Sequence, residues 1–131
     1  MISGSYAQLL KRFTELGPYI RETKCEETSF FFDCLAVCVS VKPSPESREF
    51  WGWWLNLHVQ QDHFSYEYYF GLFDKNGNWS VSLIQGKENN EKVKSTLLNF
   101  YMRLQATLKE LNIDLKPAIG FKDELIKITV S

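Results

Sequence analysis

The sequence predicts a single α+β domain, in which a short N-terminal helix and a long C-terminal helix pack on a central antiparallel β-sheet meander of about four strands. Its 131 residues suit one domain of common size. Apolar and polar residues alternate through the middle of the chain, as strands require, and apolar residues recur at three- and four-residue steps near both ends, as helices require. No internal repeat or long linker divides residues 1–131, so one domain is expected.

The N-terminal helix is predicted from an apolar stripe and from its two boundaries. Ser5 can cap the first turn, and Gly17 followed by Pro18 ends the helix, because Gly accepts a left-handed conformation and Pro cannot continue a helix. The residues expected to share the buried face are Ala7, Leu9, Leu10, Phe13 and Leu16.

Residues 29–41 are almost wholly apolar and predict the first strand. Two-residue periodicity gives one face that Asp33 interrupts and another of smaller residues that includes both Cys34 and Cys38. Since both faces are apolar, this strand is expected at the centre of the sheet, covered on each side. The carboxylate of Asp33 must be hydrogen-bonded or ion-paired, and a structural partner is favoured over a direct functional role.

Three more strands follow a polar loop at 42–47 that contains two prolines. Their turns are expected at 61–62 and at 74–78, where an Asn-Gly pair tolerates the positive φ of a hairpin. The segments that alternate as strands do are, in order, residues 50–60, 64–73 and 79–83.

A long amphipathic helix, capped by Asn89 or Asn90, is predicted to lie across one face of the sheet. Its apolar stripe consists of Val93, Leu97, Tyr101, Leu104, Leu108 and Leu111. Beyond it, alternation at Ile126, Ile128 and Val130 leaves open whether the tail adds an edge strand or stays unpaired.

Composition excludes several classes of protein. Fifteen Lys and Arg stand against 16 Asp and Glu, for a net charge of -1, so the chain lacks the cationic excess of an autonomous nucleic-acid binder. No stretch approaches the ~20 apolar residues that span a bilayer, and the first residues do not resemble a secretory signal. Three cysteines, Cys25, Cys34 and Cys38, are an odd number, which favours reduced thiols in the cytoplasm over a disulfide framework.

Few residues suit catalysis, a metal or a cofactor. His58 and His63 fall on a predicted strand and turn, and surface positions explain them better than acid-base chemistry does. The cysteines lack the His or carboxylate partners that would complete a four-ligand metal site. The glycines stand singly, so no phosphate-binding loop is expected. The sequence therefore predicts neither an enzyme nor a bound cofactor.

The unusual figure is an aromatic content of 15%. Residues 43–54 combine charged side chains, an arginine among them, with four aromatic residues. By alternation Trp51 and Trp53 share one face of a strand and Phe50 and Trp54 share the other, so at least one pair is expected to be partly exposed. Trp and Arg contribute strongly to protein interfaces, which favours a protein-binding surface. A stacking platform for single-stranded nucleic acid is the rival interpretation, but it lacks a basic groove.

Several motifs between residues 13 and 79 agree in order and spacing with those of one family. They are GPYIRE at 17–22, KCE at 24–26, FFFDCLAVCV at 30–39, VKP at 41–43, REFWGWW at 48–54 and FGLFDK at 70–75. With these runs the chain closely resembles the Crl family. The resemblance ends near Trp79, and nothing is carried over from it for the C-terminal tail.

The resemblance implies a non-enzymatic activator of transcription. Crl proteins bind domain 2 of the stationary-phase sigma factor, sigma S, and promote its association with core RNA polymerase. They also touch the polymerase, and they do not recognise promoter DNA on their own. For this chain the resemblance implies a cytoplasmic protein without cofactors, and we expect a monomer.

The resemblance also assigns residues to sigma-factor binding. The four that fall in matched motifs are Tyr19, Arg48, Phe50 and Trp53. Arg48 would pair with an acidic side chain of sigma, while Phe50 and Trp53 would be apolar anchors. Trp53 shares a strand face with Leu55 and Leu57, so an effect on folding is the alternative for that residue. Supporting roles are expected for Asp33, Glu46 and Trp54.

Overall fold

The computed structural model describes residues 5–123, which form a five-stranded sheet with both helices on one side. The elements in chain order are α1 (Tyr6–Thr14), β1 (Ser29–Cys38), β2 (Phe50–Val59), β3 (His63–Phe73), β4 (Trp79–Val81), α2 (Lys87–Glu110) and β5 (Asp114–Pro117). Single 3-10 turns lie before β1 and before β2. The α+β class and the meander are confirmed, because β1 to β4 are antiparallel neighbours in sequence order.

The strand β5 was not predicted from the sequence. It pairs in parallel with the first residues of β3. The last residues of β3 pair with β4 along the same edge. Its four residues are too few to show a two-residue period, so nothing in the sequence marks them as a strand. The alternating tail at 126–130 lies outside the described residues.

The prediction that β1 is a central strand is wrong. β1 lies at the end of the sheet order, next to β2 alone. Its outer edge is paired only locally: Arg21 donates its backbone N–H to the carbonyl of Phe31 at 2.9 Å, and Asp33 donates its own to the carbonyl of Tyr19 at 2.9 Å. Apolar residues on both faces therefore mark a strand with a core on one side and a surface of aromatic residues on the other.

A β-bulge follows Leu35, where the register between β1 and β2 shifts. An extra residue in one strand reverses the side of the sheet to which the later side chains point. Cys34 lies opposite Trp53, whereas Cys38 lies opposite Phe50, on the other face of β2. The prediction that these two cysteines share a face is therefore wrong.

The N-terminal helix α1 is held by the cap that the sequence predicts. The hydroxyl of Ser5 accepts the backbone N–H of Gln8 at 3.2 Å, and the side chain of Gln8 accepts that of Ser5 at 3.1 Å. This capping box satisfies two backbone donors that a helix start leaves unpaired. Leu9, Phe13 and Leu16 are buried, as the stripe predicts, whereas Leu10 is half-buried and Ala7, predicted on the same face, is exposed.

The long helix α2 starts at Lys87, after Gly86, and neither asparagine is its N-cap. The side-chain amide of Asn89 donates to the carbonyl of Gln85 at 2.9 Å, and that of Asn90 donates to carbonyls of the preceding loop. The predicted cap is therefore wrong, because these amides bind carbonyl groups instead of accepting N–H groups. The apolar stripe is confirmed from Val93 to Leu108, and Phe100 is buried with it. Leu111, predicted as its last member, is half-buried and follows the end of the helix.

The core lies between the two helices and one face of the sheet. The ring centroid of Phe13 in α1 is 4.8 Å from that of Phe30, and Phe100 in α2 lies 4.9 Å from Phe32 and 5.1 Å from Trp53. Both helices thus cover the same face. Within the described chain, no helix packs on the other face, which we call the open face.

A candidate protein-binding surface

The open face carries a row of half-buried aromatic side chains. Strand register places them side by side on three strands: Phe50 and Trp54 of β2, Tyr69 and Phe73 of β3, and Trp79 of β4. The prediction that at least one aromatic pair of this strand is partly exposed is confirmed: Phe50 and Trp54 are half-buried, whereas Trp51 and Trp53 are buried. Exposed aromatic surface of this extent is typical of an interaction site.

One glycine makes room for the indole of Trp79 on this face. It is Gly52 of β2, which lies opposite Gly71 of β3, where an added Cβ would meet the backbone of Ser80 instead. A Cβ added at Gly52 would lie 2.9 Å from the ring of Trp79 and 2.0 Å from the carbonyl oxygen of Cys34. Only glycine permits both approaches, so the ring can reach from β4 across the sheet toward β1.

Asp33 of β1 receives the indole of Trp79. Its side chain is buried, with the residue 3% exposed. One carboxylate oxygen accepts Nε1 of Trp79 at 2.9 Å, and the other accepts Nε of Arg21 at 2.5 Å. A buried carboxylate needs such charged or donating partners. Asp33 thus has the structural partners that the sequence favoured, and it fixes a ring of the open face.

The stack of rings continues from Trp79 toward β3. The ring of Trp54 lies 5.0 Å from Trp79 and 5.4 Å from Tyr69. The hydroxyl of Tyr69 donates to the carboxylate of Glu67, which raises the pKa of Tyr69, and Glu67 also lies 3.3 Å from the ring of His58. The surface is therefore preorganised, which reduces the entropic cost of binding.

The hydrogen bond between Trp79 and Asp33 is expected to couple these residues in stability. Trp79→Phe and Asp33→Asn should each lower the free energy of unfolding by about 1.5–3 kcal/mol, as for hydrogen bonds to charged groups. In the double variant, the loss in free energy of unfolding should be smaller than the sum of the two single losses. The difference should be at least about 1 kcal/mol. Urea denaturation of the four proteins measures this cycle, and strictly additive losses would contradict the coupling.

Beside the open face, Arg48 organises the loop between β1 and β2. Its Nε donates to the carbonyl of Pro43 at 3.1 Å, and its Nη2 donates to the carbonyl of Val41 at 3.1 Å. Val39 and Val41 are exposed, Val41 to 72%. Within residues 5–123, no carboxylate lies within ion-pair distance of Arg48. The loop therefore presents an unpaired cation next to exposed apolar side chains.

Glu46 lies in the same loop and is fully exposed. Its carboxylate is hydrogen-bonded to its own backbone N–H and to the side chain of Ser44, which lowers its pKa. These bonds stabilise the 3-10 turn Pro45–Ser47, which precedes Arg48. Glu46 thus shapes the loop locally and remains accessible.

Comparison with known proteins identifies the family. A family model described as "Sigma factor-binding transcriptional regulator Crl" matches residues 1–125. The chain belongs to the Crl family. It is 41% identical over 122 residues to the sigma factor-binding protein Crl of Photobacterium profundum, covering 92% of this chain and 91% of that protein. It is 39% identical over 106 residues to the protein of the same name from Vibrio vulnificus, covering 81% of each chain.

The four residues that the Crl resemblance singled out fall into two groups. Arg48 and Phe50 lie in the loop and on the open face. Trp53 has no exposed surface: its Nε1 donates to the hydroxyl of Thr96 at 3.0 Å. Tyr19 is half-buried and stacks on Trp53, with ring centroids 5.8 Å apart. Trp53 therefore offers no surface for direct contact with a partner, and the pair supports the packing of α2 on the sheet.

Sequence reasoning did not single out Tyr69, Phe73 or Trp79 in this Crl protein, although it placed them on strands. Two signals in the sequence point to Trp79. A buried acid in β1 requires a donor, which Trp79 supplies, and the isolated Gly52 in the neighbouring strand marks a close approach by a bulky group. Linking either signal to Trp79 requires the strand register.

Metal binding and membrane spanning can also be judged from the described residues. Among residues 5–123, no cluster of three or more His, Cys, Asp or Glu side chains could hold a metal ion. No helix in this part of the chain is both long and apolar enough to span a membrane.

Proposed function

We propose that this protein is a transcription activator that binds domain 2 of sigma S through the Arg48 loop and the adjoining open face. It promotes association of sigma S with core RNA polymerase, and it does not recognise promoter DNA on its own. The family supports sigma-factor binding in general, since the curated relatives carry that description. The choice of sigma S rests on the motifs shared with the family.

The observation that carries the proposal is the guanidinium of Arg48, which no described carboxylate pairs and which lies in a loop with exposed Val39 and Val41, two residues before the half-buried ring of Phe50. An arginine fork pairs with a carboxylate in two parallel hydrogen bonds. Rings that are already fixed bury area at little entropic cost. The complementary surface is therefore an acidic side chain beside apolar residues, with Arg48 as the charged contact and Phe50 as the nearest apolar anchor.

Activation by such a partner needs only a modest energy. A ligand that prefers the assembly-competent conformation of sigma shifts the conformational equilibrium of sigma by the ratio of its affinities for the two conformations. A tenfold ratio corresponds to ~1.4 kcal/mol. An interface of roughly 800 Å² per partner with a few strong contacts is sufficient. This function requires no catalytic group or cofactor, and it operates in the cytoplasm, where sigma factors meet polymerase.

Titration calorimetry with isolated sigma domains tests the proposal. We expect domain 2 of sigma S to bind in a one-to-one complex and the same domain of the housekeeping sigma factor to bind at least about tenfold more weakly, a difference of ~1.4 kcal/mol. In vitro transcription with limiting sigma S should rise when this protein is added. Equal affinity for the two domains, or no binding to either, would contradict the proposal.

A second candidate function is binding of single-stranded nucleic acid, which the exposed rings of Trp54 and Tyr69 favour because bases stack on such surfaces. The partly exposed carboxylate of Glu67 on the same face opposes it. A fluorescence titration with oligonucleotides decides the question. Tight, salt-sensitive binding would support this function, and no binding at low salt would exclude it.

A further inference from the structure

A second surface lies on the opposite edge of the sheet from the Arg48 loop. A groove of about 710 Å³ runs between β4, the N-terminal half of α2 and the chain near residue 121. The Arg48 loop joins β1 and β2, whereas this groove borders β3 and β4. The groove adjoins the open face, since Tyr69 belongs to both, but neither Arg48 nor Phe50 is among the residues that line it.

The groove combines an aromatic floor with an exposed aliphatic rim. The ring of Phe121 lies 4.9 Å from that of Tyr68, and Tyr68 lies 5.7 Å from Phe70. On the rim, Val81 is 72% exposed and Leu83 is 91% exposed. Large aliphatic side chains left this open are costly in water, and together with the rings they suit insertion of a bulky apolar side chain.

The charge on the groove is of one sign. Two exposed lysines, Lys94 of α2 and Lys122, line it, and no carboxylate is among its lining residues in the described chain. Neither lysine forms an ion pair with a described residue. The nearby carboxylate of Asp123 is buried and accepts the hydroxyls of two tyrosines, so it does not neutralise the rim.

From these features we infer that the groove is a docking site for an acidic segment of a second protein, which inserts a bulky apolar side chain against the aromatic floor. Its carboxylates pair with Lys94 and Lys122, and Leu83 closes over the inserted side chain. Because Arg48 and Phe50 lie outside the groove, both residues stay free for the sigma factor when this partner is bound.

The test uses the full chain and a synthetic probe, the acetylated and amidated peptide Glu-Asp-Asp-Leu-Phe-Glu-Asp-Leu. Titrated into ¹⁵N-labelled protein, the peptide should shift the amide signals of residues 81–84, 94 and 121–122. The double variant Lys94→Glu/Lys122→Glu should bind it at least about tenfold more weakly. Lys109→Glu/Lys116→Glu, with the same change in net charge at the other end of α2, should bind it as the natural protein does.

Several results would overturn the inference. One is that millimolar peptide shifts no amide signals of the groove, and another is that the control variant loses as much affinity for the peptide as Lys94→Glu/Lys122→Glu does. A third is that a thymidine oligonucleotide binds at the groove and the peptide does not. Peptide binding that appears only after residues 124–131 are removed would assign the groove to the protein's own chain. The Lys94→Glu/Lys122→Glu variant should retain its affinity for sigma S, and loss of that affinity would place the groove within the sigma site.

Discussion

Replacing Arg48 by alanine is expected to remove measurable binding to domain 2 of sigma S without affecting the fold. The substitution deletes the unpaired cation of the loop and the two hydrogen bonds that hold the carbonyls of Val41 and Pro43. Charged residues at the centre of an interface commonly contribute ~2 kcal/mol or more, so a loss of at least about 30-fold in affinity is expected. Titration calorimetry measures this loss of affinity. Because the recorded side-chain hydrogen bonds of Arg48 lie within its own loop, circular dichroism and the melting temperature should be nearly unchanged.

Two variants control for charge and shape. Arg12→Ala makes the same change in net charge, but Arg12 forms its ion pair with Glu110 on the helix side of the molecule, so binding should be unaffected. Arg48→Lys keeps the charge without the planar fork and should recover only part of the affinity. An Arg48→Ala protein that unfolds, or one that still binds and activates, would contradict the assigned role.

Trp53→Ala is expected to destabilise the protein severely. The indole is fully buried, contacts Phe100 and Tyr19, and donates to Thr96. Removing a buried Trp side chain costs about 3–5 kcal/mol through the lost burial and the cavity that remains. For a chain of this length, the melting temperature should fall by about 10 °C or more. Thermal denaturation followed by circular dichroism measures the change.

Trp53→Phe separates packing from contact with a partner. Phenylalanine keeps an aromatic ring at this site but loses the hydrogen bond to Thr96 and leaves a small cavity, which together should cost about 2–3 kcal/mol. This variant should remain folded at 25 °C and bind sigma S with unchanged affinity. A folded Trp53→Phe protein that no longer binds would show that the indole itself contacts the sigma factor.

Sequence patterns predicted the elements of the fold better than their arrangement. Alternation in β2 and β3 and the stripe of α2 arise from burial on one side, which leaves a direct trace in the residue order. Alternation cannot tell an edge strand from a central one when both faces are apolar, so β1 was misplaced. The bulge after Leu35 follows no sequence rule, and it moved Cys38 to the opposite face from Cys34.

The candidate site was only partly predictable for the same reason. Arg48 and Phe50 lie in one recognisable segment, and their neighbourhood follows from the chain itself. The contact of Trp79 with Asp33 joins residues 46 positions apart and depends on the register of three strand pairs. The full burial of Trp53 depends on where α2 crosses the sheet, and its strand face alone did not reveal that.

Hydrogen exchange of this protein with and without domain 2 of sigma S tests most directly the central claim that the Arg48 loop and the open face bind the sigma factor. We expect slower exchange in the loop at 39–49 and at Trp79 when sigma is bound, with α2 unchanged. Protection confined to α2 or α1, on the helix side of the sheet, would contradict the account.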